Sequence, residues 1–292
     1  MYTRRKVLLA LTEVFGGSLA STDCYKLMFL LCKRTNQNFY DYFPHKYGAY
    51  SYTLLQDKIR LTQLNHFSSS DKFELVGSGY INEISADIRE QIVALKSEIG
   101  TLSGQRLLRK VYLEEPYFAI RSLVARDILS SSEYGDVDKF KIADKEPTLF
   151  TIGYEGITID SYLNKLIEYN ISTLVDVRKN PISMKYGFSK NQLKKYVTSI
   201  DVSYFHLPNL GIPSNMRRDL KATRDYGDLF HEYLTIMLPQ EREAIDSLLQ
   251  IMNENKRVAL TCFEADHCEC HRSKITEYLT NDPSFQIPVI HL

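Results

Sequence analysis

The chain has 292 residues, enough for two domains of ordinary size or one large α/β domain, and its 44% hydrophobic and 25% charged composition is that of a globular protein, excluding disordered, collagen-like and fibrous classes. Its 36 basic and 36 acidic residues cancel, so no whole-molecule field gathers polyanions and any nucleic-acid contact must rest on a local patch. Arg4, Arg5 and Lys6 ahead of the apolar run 7–11 imitate a signal peptide. The run is short, however, and Glu13 falls within a continuing helical period, so an amphipathic first helix over Lys6–Phe15 is predicted. The same spacing of three and four predicts helices over Thr22–Arg34, Ser51–Asn65, Ser85–Ile99 and Tyr117–Leu129. Lys72–Tyr80 reads as extended and ends in Gly77 and Gly79, as the wing of a winged helix would.

The stretch 131–147 is polar and small, carries Pro147 just before an apolar run, and reads as a linker between a domain over 1–130 and another over 148–292. Up to residue 145 there are 20 basic against 17 acidic residues, and 16 against 19 after it, a mild basic bias towards the N-terminal part. No stretch approaches the ~18 apolar residues of a membrane span, so no membrane partner is expected. Five cysteines, an odd number, suit thiols or ligands in a reducing, cytoplasmic compartment better than a secreted disulfide framework.

KLMFLL (26–31) and FPHKYGAYSYTLLQDKIRL (43–61) resemble winged-helix-like modules of bacterial regulators and antitoxin-associated proteins, in which a Tyr-Gly-x-Tyr-Ser turn precedes a helix. The resemblance implies a module that binds DNA or a protein partner. The aromatics between Phe39 and Tyr50 also read as a packed aromatic core under a loop, and both readings hold together.

The second half changes period. Thr148–Gly153, Ser172–Val177, Ser203–Leu207 and Arg257–Cys262 read as strands, separated by helical patterns at Ile159–Tyr169, Ser189–Ser199 and Pro239–Asn253. The alternation predicts a three-layer α/β domain with a mostly parallel sheet, in which ligands collect at the carboxyl ends of the strands. Those ends carry Tyr154 and Glu155, then Asp176 and Arg178, then His206, then Cys262 and Glu264. Asp176 and Arg178 stand two apart, placed to pair with each other or to clamp an anion. Lys185, Tyr186 and Phe188 add a cation and aromatics that suit a stacked nucleotide. The basic stretch 215–224, with Arg217, Arg218, Lys221 and Arg224, reads either as a loop closing on a polyanion or as a solvated helix.

The densest chemistry is CFEADHCECHRSK over 262–274. Three readings compete. The following helix with Arg272 and Lys274 binds an anion; Cys270 or Cys262 beside His271 is an activated nucleophile; or the thiols and imidazoles hold zinc, for which the C-x5-C-x-C-H spacing is unusual.

IGYEG (152–156), LVDVRKNPIS with KYGFSK (174–190), YFHLPNLG (204–211) and LTCFEADHCECHRS (260–273) together resemble the domain-of-unknown-function 488 family over about residues 148–280. That resemblance implies a compact α/β domain with counterparts of Gly153, Asp176, Arg178, Pro181, His206, Cys262, Cys270, His271 and Arg272, and leaves the reaction open. Cys268 departs from the family's single Cys before His-Arg.

The expected function is hydrolysis or group transfer, such as base excision or modification, on a phosphate-bearing substrate. Asp176 or His271 would act as acid or base and Cys270 as nucleophile. Tyr154, Glu155, Arg178, Lys185, Tyr186, His206 and Arg272 form the substrate-binding set. No resident cofactor is assigned, and zinc stays open. The expected partner is nucleic acid, DNA ahead of RNA, or a phosphorylated nucleotide; self-association into a homodimer also stays open. Non-catalytic rivals are a DNA-binding regulator that senses a ligand and a zinc-stabilised interaction protein.

Overall fold

Apolar spacing of three and four in the first half, and short β-branched runs in the second, become two units over Met1–Ile142 and Ala143–Leu292 in the computed structural model, which describes residues 1–143, 145–213, 216 and 226–292. In the N-terminal unit the chain runs α1 (Thr3–Val14), β1 (Ser18–Leu19), α2 (Ser21–Thr35), β2 (Phe43–His45), β3 (Gly48–Tyr50), α3 (Tyr52–Gln63), β4 (Phe73–Glu74), α4 (Ala86–Ile99), α5 (Gly104–Glu114), α6 (Ala125–Ile128) and α7 (Ser131–Asp138). Leu8, Leu11, Met28, Phe29, Leu54, Ile92 and Leu107 meet in one core, so α1 to α5 each bury a stripe.

The expected extended segment forms at Phe73–Glu74. It pairs antiparallel with β1 and is bridged by Leu75 to Phe67, which makes a small ribbon after α3. Between α2 and α3 the strands β2 and β3 form a hairpin whose aromatics are packed: Tyr25 stacks on Tyr50 at 4.7 Å, and Phe43 on Tyr52 at 5.6 Å. Asp57 of α3 is fully buried and accepts hydrogen bonds from Arg4 at 2.6 Å, Arg5 at 2.7 Å and Tyr40 at 3.1 Å, tying the start of α1 to α3.

Two segments differ from the sequence reading. Tyr117–Leu129 is no single helix but a 3-10 turn over Pro116–Ala119 and the short α6. Ser122 between them accepts from Tyr112 and from its own neighbour Val124, a local competitor to helical pairing. Residues 131–138, read as linker, form α7, opened by a capping box between Ser130 and Glu133 and anchored by buried Val137.

The C-terminal unit contains β5 (Thr148–Gly153), α8 (Ile159–Glu168), β6 (Thr173–Asp176), α9 (Lys190–Thr198), β7 (Ser203–His206), α10 (Tyr226–Glu232), α11 (Arg242–Glu254), β8 (Arg257–Cys262), α12 (His271–Thr280) and β9 (Val289–His291). The five strands are parallel in the order β7-β6-β8-β5-β9. Leu149, Val175, Val258 and Leu260 face one way and pack with Leu248 of α11 and Ile275 and Leu279 of α12. The opposite face meets α8, where Tyr162 donates to Thr261 at 2.8 Å. The helices that follow β5 and β8 thus lie on opposite faces, and in such sheets the crevice at that reversal is where ligands bind. Among the described residues no helix is long and apolar enough to cross a membrane.

Lys26 of α2 offers a test of the N-terminal core. It is 3% exposed, its amine donates to the Ala49 carbonyl at 2.8 Å, and burial pulls its pKa down to about 7 against the opposing pull of Asp23. In the unfolded chain it keeps its proton up to the ordinary 10.5, so between about 7 and 10.5 the unfolded state binds more protons and stability rises with pH. Each pH unit across that window is worth on the order of 1.4 kcal/mol at most. The wild-type melting temperature is therefore expected to climb relative to that of Lys26→Met between neutral and alkaline pH. Thermal unfolding of both proteins across the range checks it; a constant gap would refute a buried, titrating amine.

Candidate functional site

The carboxyl ends of β5, β6 and β8 converge because parallel register aligns them: Gly153 lies opposite Cys262, and Asp176 opposite Thr261 and His206. Close approach is permitted by the lack of a side chain at Gly153, where a Cβ would fall 1.8 Å from the carbonyl oxygen of Glu264. The backbone N–H groups of Tyr154 and Glu155 both donate to the carbonyl of Phe263, at 3.1 and 2.8 Å. The Glu155 carboxylate in return accepts from the N–H of Ala265 at 3.1 Å, so the loop after β8 is stitched to the end of β5. On the other side Gly211 performs the same service, since a Cβ there would sit 2.2 Å from the nitrogen of Lys179.

Two arginines that the sequence marked as anion receptors are engaged inside the protein. Arg178 donates from Nε and Nη2 to the two oxygens of Asp176, at 2.8 and 2.6 Å, and from Nη1 to the Tyr154 hydroxyl at 2.7 Å and the Phe188 carbonyl at 2.9 Å. Asp176, fully buried, also accepts from Tyr204 at 2.7 Å. This is a closed ion-pair network, in which the expected acid or base is already committed. Arg272, fully buried, donates to the carbonyls of Glu264 at 2.6 Å and Ala265 at 2.9 Å, so it holds the loop after β8 in place of a ligand. Lys274 pairs with Glu277 at 2.7 Å.

The remaining substrate-binding expectations divide similarly. His206 joins the Arg178 carbonyl through Nε2 and Lys190 through Nδ1, both at 2.9 Å; these partners fix Nε2 as donor and Nδ1 as acceptor. Tyr154 stacks on Phe188 at 4.2 Å, and Tyr186 bonds Tyr196 at 2.8 Å. Lys185 donates to the Tyr154 carbonyl at 2.7 Å, and burial lowers its pKa. The basic stretch 215–224 lies outside the described residues apart from Met216.

A cavity of about 290 Å³ opens at these strand ends, lined by Tyr154, Arg178, Lys179, Ile182, Cys262 and Phe263, among others. Cys262, 1% exposed, is the reactive side chain at its base, and Phe263, 42% exposed, presents an aromatic ring there. Sequence reasoning offered Cys262 as an alternative nucleophile to Cys270 and assigned no role to Phe263 or Lys179. The signal was their place, immediately after β8 and β6.

Beneath the cavity lies a dense cluster. Sγ of Cys262 is 3.2 Å from Oε2 of Glu264 and 3.7 Å from Nδ1 of His271, and Sγ of Cys270 is 3.8 Å from that same Nδ1. His271 Nε2 sits 3.1 Å from the Val177 carbonyl, which can only accept, so Nε2 carries the proton and Nδ1 faces the sulfurs with its lone pair. The sequence led us to expect a depressed thiol pKa at Cys270. Burial instead pushes that thiol up, the neighbouring Cys262 adding to it, and burial likewise raises the Glu264 carboxyl. Cys268, which the spacing argument for zinc included, is exposed and 3.6 Å from His267, in a second group with Asp266.

The fit of the loop to Gly153 yields a direct test. In Gly153→Ala the new methyl meets backbone, so the loop over 263–265 must shift; a stability loss of about 1–3 kcal/mol is expected, as for overpacked cores. Iodoacetamide labelling read by mass spectrometry should modify Cys268 first in the wild type and reach Cys262 far faster in the variant. Equal protection of Cys262 in both would show that the loop is not seated on β5.

No curated protein and no solved structure matches the chain. Residues 158–279, from the cap of α8 into the last turn of α12, match the model of the family described as Domain of unknown function DUF488.

Proposed function

We propose that the C-terminal unit binds a phosphate-bearing substrate, a nucleic-acid strand or a nucleotide, in the strand-end cavity and catalyses hydrolysis or group transfer on it, such as excision or modification of a base. The carrying observation is the charge of the segment that forms the cavity wall. From 178 to 195 there are six basic residues, Arg178, Lys179, Lys185, Lys190, Lys194 and Lys195, and no acidic one. Arg178 is spent on Asp176 and Lys190 meets His206, but Lys194 and Lys195 are exposed on α9 and Lys179 lines the cavity. This is the local patch that a chain of zero net charge needs in order to meet a polyanion. Beside it Phe263, Ile182 (85% exposed) and Met184 offer an apolar, partly aromatic wall that suits a base.

The chemistry of the reaction falls to Cys262, Glu264 and His271 rather than to Asp176. Cys262 touches the cavity, and Cys270 stands behind it. In the N-terminal unit, α2 and α3 followed by the ribbon of β1, β4 and Phe67 support a nucleic-acid-binding role, and Arg60 and Gln63 are exposed on α3. A helix presented this way fits the major groove of DNA and not the deep, narrow groove of RNA, which favours DNA. An odd number of cysteines, none of them in a disulfide among the described residues, supports a reducing, cytoplasmic setting.

Fluorescence anisotropy of the full chain with labelled single- and double-stranded DNA and RNA, at low and near-physiological salt, tests the reading. Binding is expected to weaken steeply with salt, and Lys179→Ala and Lys194→Ala should each lower the slope of log affinity against log salt by about 1. The bound strand should then be altered by the wild type and left intact by Cys262→Ser. Absence of binding at low salt, or a slope that neither lysine changes, would sink the polyanion reading.

A further inference from the structure

We infer that Cys262, Cys270 and His271 form a zinc-binding site at the foot of the strand-end cavity. This rests on the geometry of the three side chains and is independent of what the cavity binds. The sulfurs of Cys262 and Cys270 and the Nδ1 of His271 all lie within 4.8 Å of one another, and all three residues are buried. Around a tetrahedral zinc with Zn–S of about 2.3 Å and Zn–N of about 2.0 Å, sulfur-to-sulfur edges are about 3.8 Å and sulfur-to-nitrogen edges about 3.5 Å. The separations of 3.7 and 3.8 Å from the two sulfurs to Nδ1 match those edges.

Three features suit the cluster to an ion. Two sulfurs converge on Nδ1 at nearly equal distance, the placement of ligands around a shared ion. The ring is oriented for ligation, since Nε2–H donates to the Val177 carbonyl at 3.1 Å, the outer contact that fixes a metal-binding histidine in its tautomer. Three protein ligands leave the fourth position of a tetrahedral zinc to water, and the Glu264 carboxylate, 3.2 Å from the Cys262 sulfur, stands beside that ligand. Two thiolates and a carboxylate around a divalent cation keep a net negative charge, and the buried guanidinium of Arg272, fixed to the Glu264 carbonyl at 2.6 Å, places the opposite charge next to it. Thiolate with imidazole selects zinc over magnesium or calcium.

The spacing looked unusual for zinc because it counted Cys268, whereas the pair that converges is Cys262 with Cys270, one from the end of β8 and the other from the cap of α12. The exposed group of Asp266, His267 and Cys268 is the natural control.

The test is elemental analysis of the purified full-length protein, followed by chelator stripping and titration of the stripped protein with zinc and with cobalt(II). We expect near-stoichiometric zinc, and a cobalt form with thiolate-to-metal charge transfer in the near ultraviolet and tetrahedral bands in the visible. Cys270→Ser and His271→Ala should each weaken zinc by more than the ~10–100-fold that outer contacts cost. Glu264→Gln should retain the cobalt charge transfer, and Cys268→Ser should leave the spectrum unchanged. Stripped wild-type protein that takes up neither metal overturns the inference without touching the polyanion reading, which the anisotropy titration decides. Charge transfer that disappears in Cys268→Ser and survives in Cys270→Ser overturns it as well.

Discussion

The guanidinium of Arg272 sits wholly inside the C-terminal unit, and the site around it depends on how that charge is accommodated. A buried cation is tolerated where its charge is met by acceptors, and the two terminal nitrogens of Arg272 donate to the carbonyls of Glu264 and Ala265, while its buried Nε has no hydrogen-bond partner among the described residues. These carbonyls belong to the loop that leaves β8, so the loop cannot drift from α12 without stranding a charge. The same loop is gripped from the opposite side by Tyr154 and Glu155, and it lies across Gly153 so closely that no side chain fits there. Glu264 and Phe263 are thereby held at fixed positions relative to β5, and a rigid loop on a rigid sheet is what a chemical site requires.

A second buried network does the equivalent work at β6. Asp176, Arg178, Tyr154 and Tyr204 close on one another, with the Phe188 carbonyl taking a remaining guanidinium donor. The network couples three strand ends and the loop after β6, and it leaves Lys179, the next residue, facing the cavity. Replacing one member would leave the others buried and unmatched, which costs far more than the pair contributes. The division is therefore spatial: ion pairing under the loop after β6 sets the wall, while sulfur, imidazole and carboxylate side chains gather beneath β8.

Much of this was legible in the sequence. Thr148–Gly153 and Arg257–Cys262 are continuous apolar or β-branched runs, and both are strands at those bounds, since a strand buried on both faces needs no alternation. Asp176, Arg178, His206 and Cys262 were placed at strand ends by alternation alone, and there they lie. Their roles were not legible. Whether Arg178 faces a ligand or its own neighbour depends on Tyr154 and Phe188, which are distant in sequence and meet it only through the parallel register. The α5 helix was missed although Leu107, Leu108, Val111 and Tyr112 line one face, because strongly basic residues between them mask the period. Val289–His291 was missed because three residues give too little pattern to read, and it is their pairing with β5 that makes them a strand.

Zero net charge is the feature most easily misread. A sum over the chain reports the field at long range, whereas a strand or nucleotide at the surface feels charges within about one Debye length, roughly 8–10 Å at ordinary salt. Along the cavity wall the chain places an acid-free basic run, and Asp176, which precedes it, is buried against Arg178, whereas exposed Glu155 lies near Lys185. Burying Asp176 against its own partner thus removes one acid from the surface that Lys179, Lys194 and Lys195 share. The same interactions that solve a folding problem, satisfying charges that cannot reach water, also set the sign of the surface around the pocket.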